Sequence, residues 1–161
     1  MKLYHGSNTT VDNPDTRHSR ERLDFGKGFY LTSVKQQAES WALRATANSG
    51  GVPIVTTYEV LDDMSGFRTL TFNETNDREW VEFVCQCRRG SNEYAHYDIV
   101  IGGVADDKVY RAVDMYFRGY WDIETTLEAL RFYDVNDQYC FITQRAINAL
   151  LTYTGSYEVE P

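Results

Sequence analysis

The sequence predicts an α+β fold in a single domain over residues 1–161. A chain of 161 residues is long enough to bury a sizeable core within one domain. The β-branched run at 54–60 is typical of a strand, whereas apolar residues from Val34 to Ala45 recur at helical spacing. Strand and helix patterns follow one another without strict β-α-β alternation, which favours α+β over a doubly wound sheet.

The first third of the chain predicts a loop, a strand and a helix. Residues 8–24 are polar and charged, and we expect a surface loop that covers a site. Residues 29–32 are predicted to form a strand. Ser33 with Gln36 three residues later is a capping-box pattern, which predicts a helix that ends at the glycines of 48–51.

The rest of the chain predicts further elements, several of them opened by residues that commonly cap helices. In order, these are a helix from about Arg78 to Cys87, a strand Tyr97–Ile101 closed by Gly102 and Gly103, helices capped by Asp106 and Asp122, a strand Gln138–Ile142, a helix capped by Thr143, and a strand Ser156–Val159.

The net charge of −8 sets limits on partners and location. An acidic chain gains nothing from general attraction to phosphates, so we expect no membrane binding and no non-specific nucleic-acid binding. The chain shows no apolar run of membrane-spanning length and no signal-peptide pattern at its start. We expect a cytoplasmic protein, with secretion by a system that needs no cleavable signal left open.

The three cysteines fit a reducing compartment, because their odd number shows no disulfide pattern. Cys85 and Cys87 are one residue apart and lack the second pair of ligands that zinc sites show. We therefore expect no metal.

Two short motifs are the candidate binding elements. Leu3 to Ser7 is a short apolar run containing His5, which can donate or accept a hydrogen bond, and Gly6, whose backbone groups no side chain shields. A carboxamide can pair with both backbone groups of Gly6. The alternative is that His5 is satisfied by the backbone of its own turn.

The second motif runs from Phe25 to Thr32 and combines a glycine-rich turn with a strand. Alternation along the strand directs Tyr30 and Thr32 to the face opposite Phe29. Trp41, on the following helix, can form a second aromatic wall beside Tyr30. The alternatives are that Tyr30 lies in the core at a hairpin corner, and that Trp41 is a core residue.

Two other interpretations of this glycine-rich segment fail. Asp24-Phe25-Gly26 matches the kinase metal-binding triplet, but too little chain precedes it to form the other kinase elements. The pair Gly26 and Gly28 is too short for a dinucleotide-binding fingerprint.

Both motifs resemble the first two NAD-binding segments of the poly(ADP-ribose) polymerase-like branch of ADP-ribosyltransferases. The resemblance implies a split β-sheet core with flanking helices, NAD as co-substrate and no metal. It implies that His5 binds the nicotinamide ribose, that the Gly6 backbone holds the carboxamide, and that Tyr30 stacks on the nicotinamide, with Trp41 as the second wall. The full NAD-binding set so implied is His5, Gly6, Ser7, Gly28, Tyr30, Thr32 and Trp41.

The segment Asn136–Phe141 is similar to the third family element and places Gln138 where the polymerases have glutamate. The implied catalytic set is His5, Tyr30 and Gln138. Glutamine cannot act as a general base, and losing such proton transfer costs on the order of 10²–10⁴-fold in rate. Polymer synthesis is therefore not expected, and transfer of a single ADP-ribose needs an acceptor that is already a good nucleophile or brings its own base. The family pattern suggests, as acidic candidates near the site, Glu82, Asp98, Asp106 and Asp137.

Nearly the whole chain resembles a bacterial family of uncharacterised ADP-ribosyltransferase-like toxin domains, through segments that include Trp80–Phe83, Tyr97–Gly102 and Val104–Asp107. The resemblance implies an NAD-dependent mono-ADP-ribosyltransferase that acts on a macromolecule, with a small antitoxin encoded nearby as partner. The alternatives are an NAD glycohydrolase, an inactive module that binds NAD or ADP-ribose, and a plain interaction protein. Loops 8–24 and 88–96 are expected to select the acceptor.

Overall fold

The α+β class is confirmed by a computed structural model that describes residues 1–73 and 77–161. Within these residues, five α-helices accompany two β-sheets. The strands are β1 (Lys2–Ser7), β2 (Phe29–Leu31), β3 (Ile54–Val60), β4 (Thr69–Thr71), β5 (Ile99–Gly103), β6 (Asp137–Phe141) and β7 (Leu151–Glu158). The helices are α1 (Lys35–Ser49), α2 (Arg78–Arg88), α3 (Asp107–Phe117), α4 (Ile123–Leu130) and α5 (Gln144–Leu150), with a 3₁₀ turn at Glu93–His96.

The two sheets share one backbone bridge within the described residues, and they pack on a common buried cluster that includes Leu3, Leu31 and Phe141. The first sheet has the order β1-β3-β7 and is antiparallel, and the second has the order β2-β6-β5-β4, in which only β4 and β5 are parallel. Within residues 1–73 and 77–161, β1 pairs with the β2 segment only through Tyr4 and Thr32, the residue that follows β2, and their backbones exchange hydrogen bonds of 2.8 and 2.9 Å. Beyond this bridge the two strands separate and leave a gap.

Helix α1 packs directly on the first sheet. A Cβ atom added to Gly6 would lie 1.9 Å from the carbonyl oxygen of Ala38, so only glycine permits this approach. Ala38 and Ala42 are completely buried at the contact, and their small side chains let the two backbones come close. This packing fixes the face of α1 that borders the gap.

The second sheet is covered by α2 and α3, which share a core with β5. Trp80 and Val84 of α2, Val113 of α3 and Val100 of β5 are all fully buried. Burying each such side chain contributes about 1.5–3 kcal/mol to the free energy of folding. The predicted helix from about Arg78 to Cys87 is confirmed as α2.

Most predicted helix boundaries are confirmed. Helix α1 ends at Ser49, where Gly50 has φ = +75°. Asp106, Asp122 and Thr143 each accept a hydrogen bond from a backbone N–H in the first turn of α3, α4 and α5.

The prediction that Ser33 caps α1 is wrong. The capping position is Val34, which makes no side-chain capping bond, and the Ser33 hydroxyl donates to the Asp137 carboxylate instead. A charged acceptor on β6 thus takes the hydroxyl that the local pattern assigned to the helix.

Three strand predictions are also corrected. Strand β5 begins at Ile99 and continues through both glycines, since Gly102 packs where a Cβ atom would come within 3.0 Å of Phe25. Strand β7 begins at Leu151, directly after α5. Strand β4, with only three residues, was not predicted, because it is too short to show alternation.

None of the helices in the two described ranges combines the length and hydropathy that crossing a membrane requires.

Candidate functional site

A cavity of about 660 Å³ opens where β1 and β2 separate. Its walls come from β1, β2, α1, the segment before α3, and much of the loop 8–24, which was predicted to cover a site. The volume lies within the range of small-molecule sites. Of the predicted NAD-binding and catalytic residues, those that line the cavity are His5, Gly6, Ser7, Gly28, Tyr30, Trp41 and Gln138.

The backbone of Gly6 faces the gap between the sheets. Backbone groups of successive strand residues point to opposite edges, and those of Tyr4 point to β2. Gly6 has the same parity as Tyr4, so its N–H and C=O point to the same edge, beyond the bridge, where β2 no longer pairs. A donor and an acceptor are therefore presented side by side to the cavity.

His5 is held as a neutral imidazole. Its Nδ1 lies 2.7 Å from the carbonyl oxygen of Tyr30, which can only accept, so Nδ1 carries the proton. Burial lowers the pKa of His5 below its ordinary value, and the ring stacks on Phe29 at 4.3 Å between centroids. Nε2 is thereby left as a hydrogen-bond acceptor.

The hydroxyl of Tyr30 fixes the glycine-rich turn. It donates to the Gly26 carbonyl at 2.6 Å and accepts from the Phe25 N–H at 3.0 Å. Gly26 has φ = +80°, a conformation that favours glycine. Burial raises the pKa of Tyr30 well above its ordinary value, so the hydroxyl keeps its proton and the ring is held at the cavity wall.

Trp41 lies on α1 at the cavity, half-buried, and belongs to none of the buried clusters among the described residues. The indole is therefore available to a ligand on one face.

Gln138 lies at the cavity with only 3% of its surface exposed. Its amide nitrogen donates to Asp24 Oδ2 and to the Gly103 carbonyl, both at 3.0 Å. No described residue donates a hydrogen bond to the amide oxygen Oε1. Every fully buried polar side-chain atom in the described part of the chain has a hydrogen-bond partner, so Oε1 is not fully buried. Oε1 is therefore open to the cavity as an acceptor.

Next to Gln138 lies an ion pair that sequence reasoning missed, and both of its residues, Asp24 and Arg88, line the cavity. Asp24 accepts from Arg88 Nε at 2.8 Å and from Arg88 Nη2, and its other oxygen accepts from the Ala105 N–H at 2.8 Å. The Arg88 guanidinium also stacks on Tyr110, 3.7 Å from the ring centroid. The only sequence signal at Asp24 was the kinase-like triplet, which pointed to different chemistry.

Thr32 lies away from the cavity wall. It is completely buried, and its hydroxyl donates to Asp137 Oδ1 at 3.0 Å and accepts from the Val34 N–H. Its role in the structure is to hold the start of α1, so we do not include it in the proposed binding set.

Of the four acidic candidates, the cavity wall includes only Asp106. Glu82 binds Arg78 and Tyr116, Asp98 binds Arg68 and Thr143, and Asp137 holds the start of α1. Asp106 uses Oδ1 to cap α3, with bonds of 3.1 and 3.0 Å, and its exposed side chain leaves Oδ2 free for other partners.

Fold and site together define an α+β protein with a polar, aromatic-walled cavity at the junction of two sheets. The chain belongs to the family described as Protein of unknown function (DUF3990), which matches residues 1–153. No curated protein and no solved structure matches the chain.

Proposed function

We propose that this protein is an NAD-dependent mono-ADP-ribosyltransferase with a split-sheet core of the ADP-ribosyltransferase type. The observation that carries the proposal is the convergence of His5, Gly6, Tyr30, Trp41 and Gln138 on one cavity. These residues come from β1, β2, α1 and β6, and together they offer the groups that a nicotinamide riboside needs.

The nicotinamide end binds at the open edge of β1. The Gly6 N–H donates to the carboxamide oxygen, and the Gly6 carbonyl accepts from the carboxamide nitrogen. The rings of Tyr30 and Trp41 enclose the pyridinium ring. A cationic aromatic ring between two electron-rich rings is also favoured electrostatically.

The ribose end meets two neutral acceptors. His5 Nε2 and Gln138 Oε1 accept hydrogen bonds from ribose hydroxyls. When the bond between nicotinamide and C1′ breaks, its electron pair leaves with neutral nicotinamide and positive charge develops on the ribose. Acceptor oxygens and lone pairs fixed near that charge stabilise the transition state.

The acceptor nucleophile then forms the new bond to C1′, and its proton must pass to a base. Gln138 cannot take this proton, because an amide oxygen is not basic at neutral pH. Asp106, with a free carboxylate oxygen at the cavity wall, is the residue that we assign to this step.

The proposal extends to biology as the toxin of a bacterial toxin–antitoxin pair that acts in the cytoplasm on a macromolecule. A net charge of −8 supports a small basic antitoxin as partner, since charge complementarity speeds encounter.

The test is mass spectrometry of NAD⁺ incubated with the purified protein, with and without host lysate. Trp41→Ala removes one ring wall without opening a core cluster, and Leu43→Ala, on the same helix with 39% of its surface exposed and outside the cavity wall, is the matched control. We expect nicotinamide release and an ADP-ribose adduct with wild type and Leu43→Ala, both reduced at least about tenfold in Trp41→Ala. Equal turnover in Trp41→Ala would contradict the proposed site.

The second candidate is an NAD glycohydrolase, or an inactive module that binds NAD or ADP-ribose. The observation that favours it is Gln138, which supplies no proton transfer. Nicotinamide release without any adduct would identify the glycohydrolase, and NAD binding without release would identify the module.

A further inference from the structure

The Asp24 carboxylate is surrounded by donors. With 6% of its surface exposed, it accepts two hydrogen bonds from Arg88, one from the Ala105 N–H and one from the Gln138 amide nitrogen. These four bonds use both carboxylate oxygens, and in each of them Asp24 is the acceptor.

The same contacts determine which way the Gln138 amide points. Its nitrogen lies 3.0 Å from Asp24 Oδ2 and 3.0 Å from the Gly103 carbonyl oxygen, and both of these atoms only accept. Rotating the amide by half a turn would set Oε1 against two acceptors and leave the nitrogen without them. The oxygen is therefore directed to the cavity.

An ionised glutamate cannot take the place of this glutamine. Its second carboxylate oxygen would lie where the amide nitrogen lies, about 3 Å from Asp24 Oδ2 and from the Gly103 carbonyl, with no proton between them. Arg88 Nε and Nη2 already donate to Asp24, and Nη2 also donates, at 3.3 Å, to the Ala105 carbonyl, so neither nitrogen is available to the introduced carboxylate. Only a protonated carboxyl group fits.

We infer that Asp24 is a positioning residue that makes a neutral amide the working group at position 138 and directs its oxygen to the ligand. The identity of that ligand rests on the proposed function. Asp24 and the Gly103 carbonyl thus select glutamine at position 138. A glutamate at this position does not act as the general base that polymerases use.

The test uses the full chain with Gln138→Glu, its non-ionisable control Gln138→Met, and Asp24→Asn combined with Gln138→Glu. Melting temperature and nicotinamide release from NAD⁺ are measured from about pH 5 to pH 8. The titratable groups that surround position 138 are Asp24, Arg88, His5, Tyr30, Cys140 and Asp106. Wild type and Gln138→Met contain all of these groups. Subtracting their pH profiles therefore removes the contribution of these groups from the profile of Gln138→Glu.

The carboxyl group introduced by Gln138→Glu is expected to have a raised pKa in the folded state. The unfolded chain then loses its proton first as pH rises above about 4.3, so the folded state is destabilised over this range. We expect the melting temperature of Gln138→Glu to fall by roughly 5 °C more than that of Gln138→Met between pH 5 and pH 8. The double variant should lose less, because the neighbouring negative charge is gone.

The rate of nicotinamide release by Gln138→Glu should fall with rising pH, as its melting temperature does. In its protonated form, the introduced carboxyl group can donate to Asp24 and present its carbonyl oxygen to the cavity, as glutamine does. Nicotinamide release by Gln138→Glu should therefore fall about tenfold or more as pH rises and this proton is lost. A general base would show the opposite trend.

Parallel melting profiles for Gln138→Glu and Gln138→Met, or turnover by Gln138→Glu that rises with pH relative to wild type, would overturn the inference. If wild type releases no nicotinamide, the proposed function fails while the melting profiles still decide the role of Asp24. If the double variant does not fold, the two single variants decide it.

Discussion

At the scale of single residues, two side chains at the cavity, His5 and Gln138, each use all but one of their polar atoms on the protein. His5 donates through Nδ1 and keeps Nε2, and Gln138 donates twice through its nitrogen and keeps Oε1. Both remaining atoms are neutral acceptors. These two atoms therefore recognise hydroxyl groups without adding a charge that would need desolvation, whereas the Asp106 carboxylate also lies at the wall.

His5→Asn should change the pH dependence of stability. Asparagine can still donate to the Tyr30 carbonyl but does not titrate. Because burial lowers the His5 pKa in the folded state, its contribution is complete above pH 6.5 and is lost as pH falls below that value. Denaturant unfolding between about pH 5 and pH 8 should show wild type losing stability toward acid more steeply than the variant. Identical slopes would mean that His5 is not buried as a neutral group.

Asp106→Asn should separate transfer from hydrolysis. Asparagine caps helices as well as aspartate does, so α3 should keep its first turn and the melting temperature should change little. Without the carboxylate, transfer of ADP-ribose to a lysate acceptor should fall about 10²-fold or more, while nicotinamide release is retained. The ratio of adduct to nicotinamide, followed by mass spectrometry, is the measurement. An unchanged ratio would remove Asp106 from the mechanism.

At the scale of secondary-structure elements, the position of α1 depends on contacts at two places. The Gly6 backbone meets Ala38 along one side, and Asp137 of β6 binds the segment that enters the helix. Asp137 accepts from the Thr32 hydroxyl at 3.0 Å, from the Ser33 N–H at 2.8 Å, and from the Ser33 hydroxyl. Since Gln138 is the next residue, two walls of the cavity are joined through one carboxylate.

Asp137→Ala should therefore weaken both stability and binding. Removing the carboxylate leaves the buried Thr32 hydroxyl without its acceptor and should cost about 1–3 kcal/mol in the free energy of unfolding. The affinity for NAD should fall as well, because Trp41 moves with α1. Ser33→Ala removes one of the three bonds and should cost about 1 kcal/mol or less. Denaturant titration and calorimetric NAD binding measure the two effects, and equal costs for the two variants would contradict this role of Asp137.

Elements set by local pattern could be predicted, and those set by tertiary contacts could not. Helices α3 and α4 begin at the capping aspartates that the sequence indicates, because the capping bond spans only two or three residues. The start of α1 was mispredicted because Ser33 bonds to a residue 104 positions away. The glycines of β5 looked like a strand end but remain in the ladder through close packing.

The candidate site likewise contains residues that the sequence could identify and residues that it could not. His5, Gly6 and Tyr30 could be selected because two short motifs contain them, and the structure places all three at one cavity. Asp24 and Gln138 are 114 residues apart, and Arg88 lies 64 residues from Asp24. Their contacts leave no periodic or spacing signal in a single sequence, so the ion pair next to Gln138 could be found only from the structure.

At the scale of the whole molecule, the cavity lies between two sheets that share a buried cluster, in which Leu3 and Tyr58 of the first sheet pack with Leu31 and Phe141 of the second. The first sheet contributes Gly6 and His5, and the second contributes Tyr30 and Gln138. A ligand that spans the cavity contacts both sheets, and it binds only the folded state of the chain. Binding should therefore stabilise the entire fold.

NAD at about one hundred times its dissociation constant should add about 2.7 kcal/mol to the free energy of unfolding. For a chain of this size this corresponds to a rise of roughly 5–10 °C in melting temperature. Leu43→Ala should keep the shift and Trp41→Ala should lose most of it. Differential scanning fluorimetry over a series of NAD concentrations is the measurement, and a shift that does not depend on Trp41 would place the binding elsewhere.

The bridge between Tyr4 and Thr32 is the only backbone pairing between the two sheets within the described ranges. Leu3 and Tyr58 of the first sheet also pack with Leu31 and Phe141 of the second in one buried cluster, so the two sheets are held together at this junction, and the spacing of their edges sets the width of the cavity mouth. Any influence that favours the spacing of the ligand-bound state therefore raises ligand affinity by the same factor by which the ligand favours that spacing. A partner that binds the outer faces of both sheets would thus change the ligand affinity of the cavity without blocking its entrance.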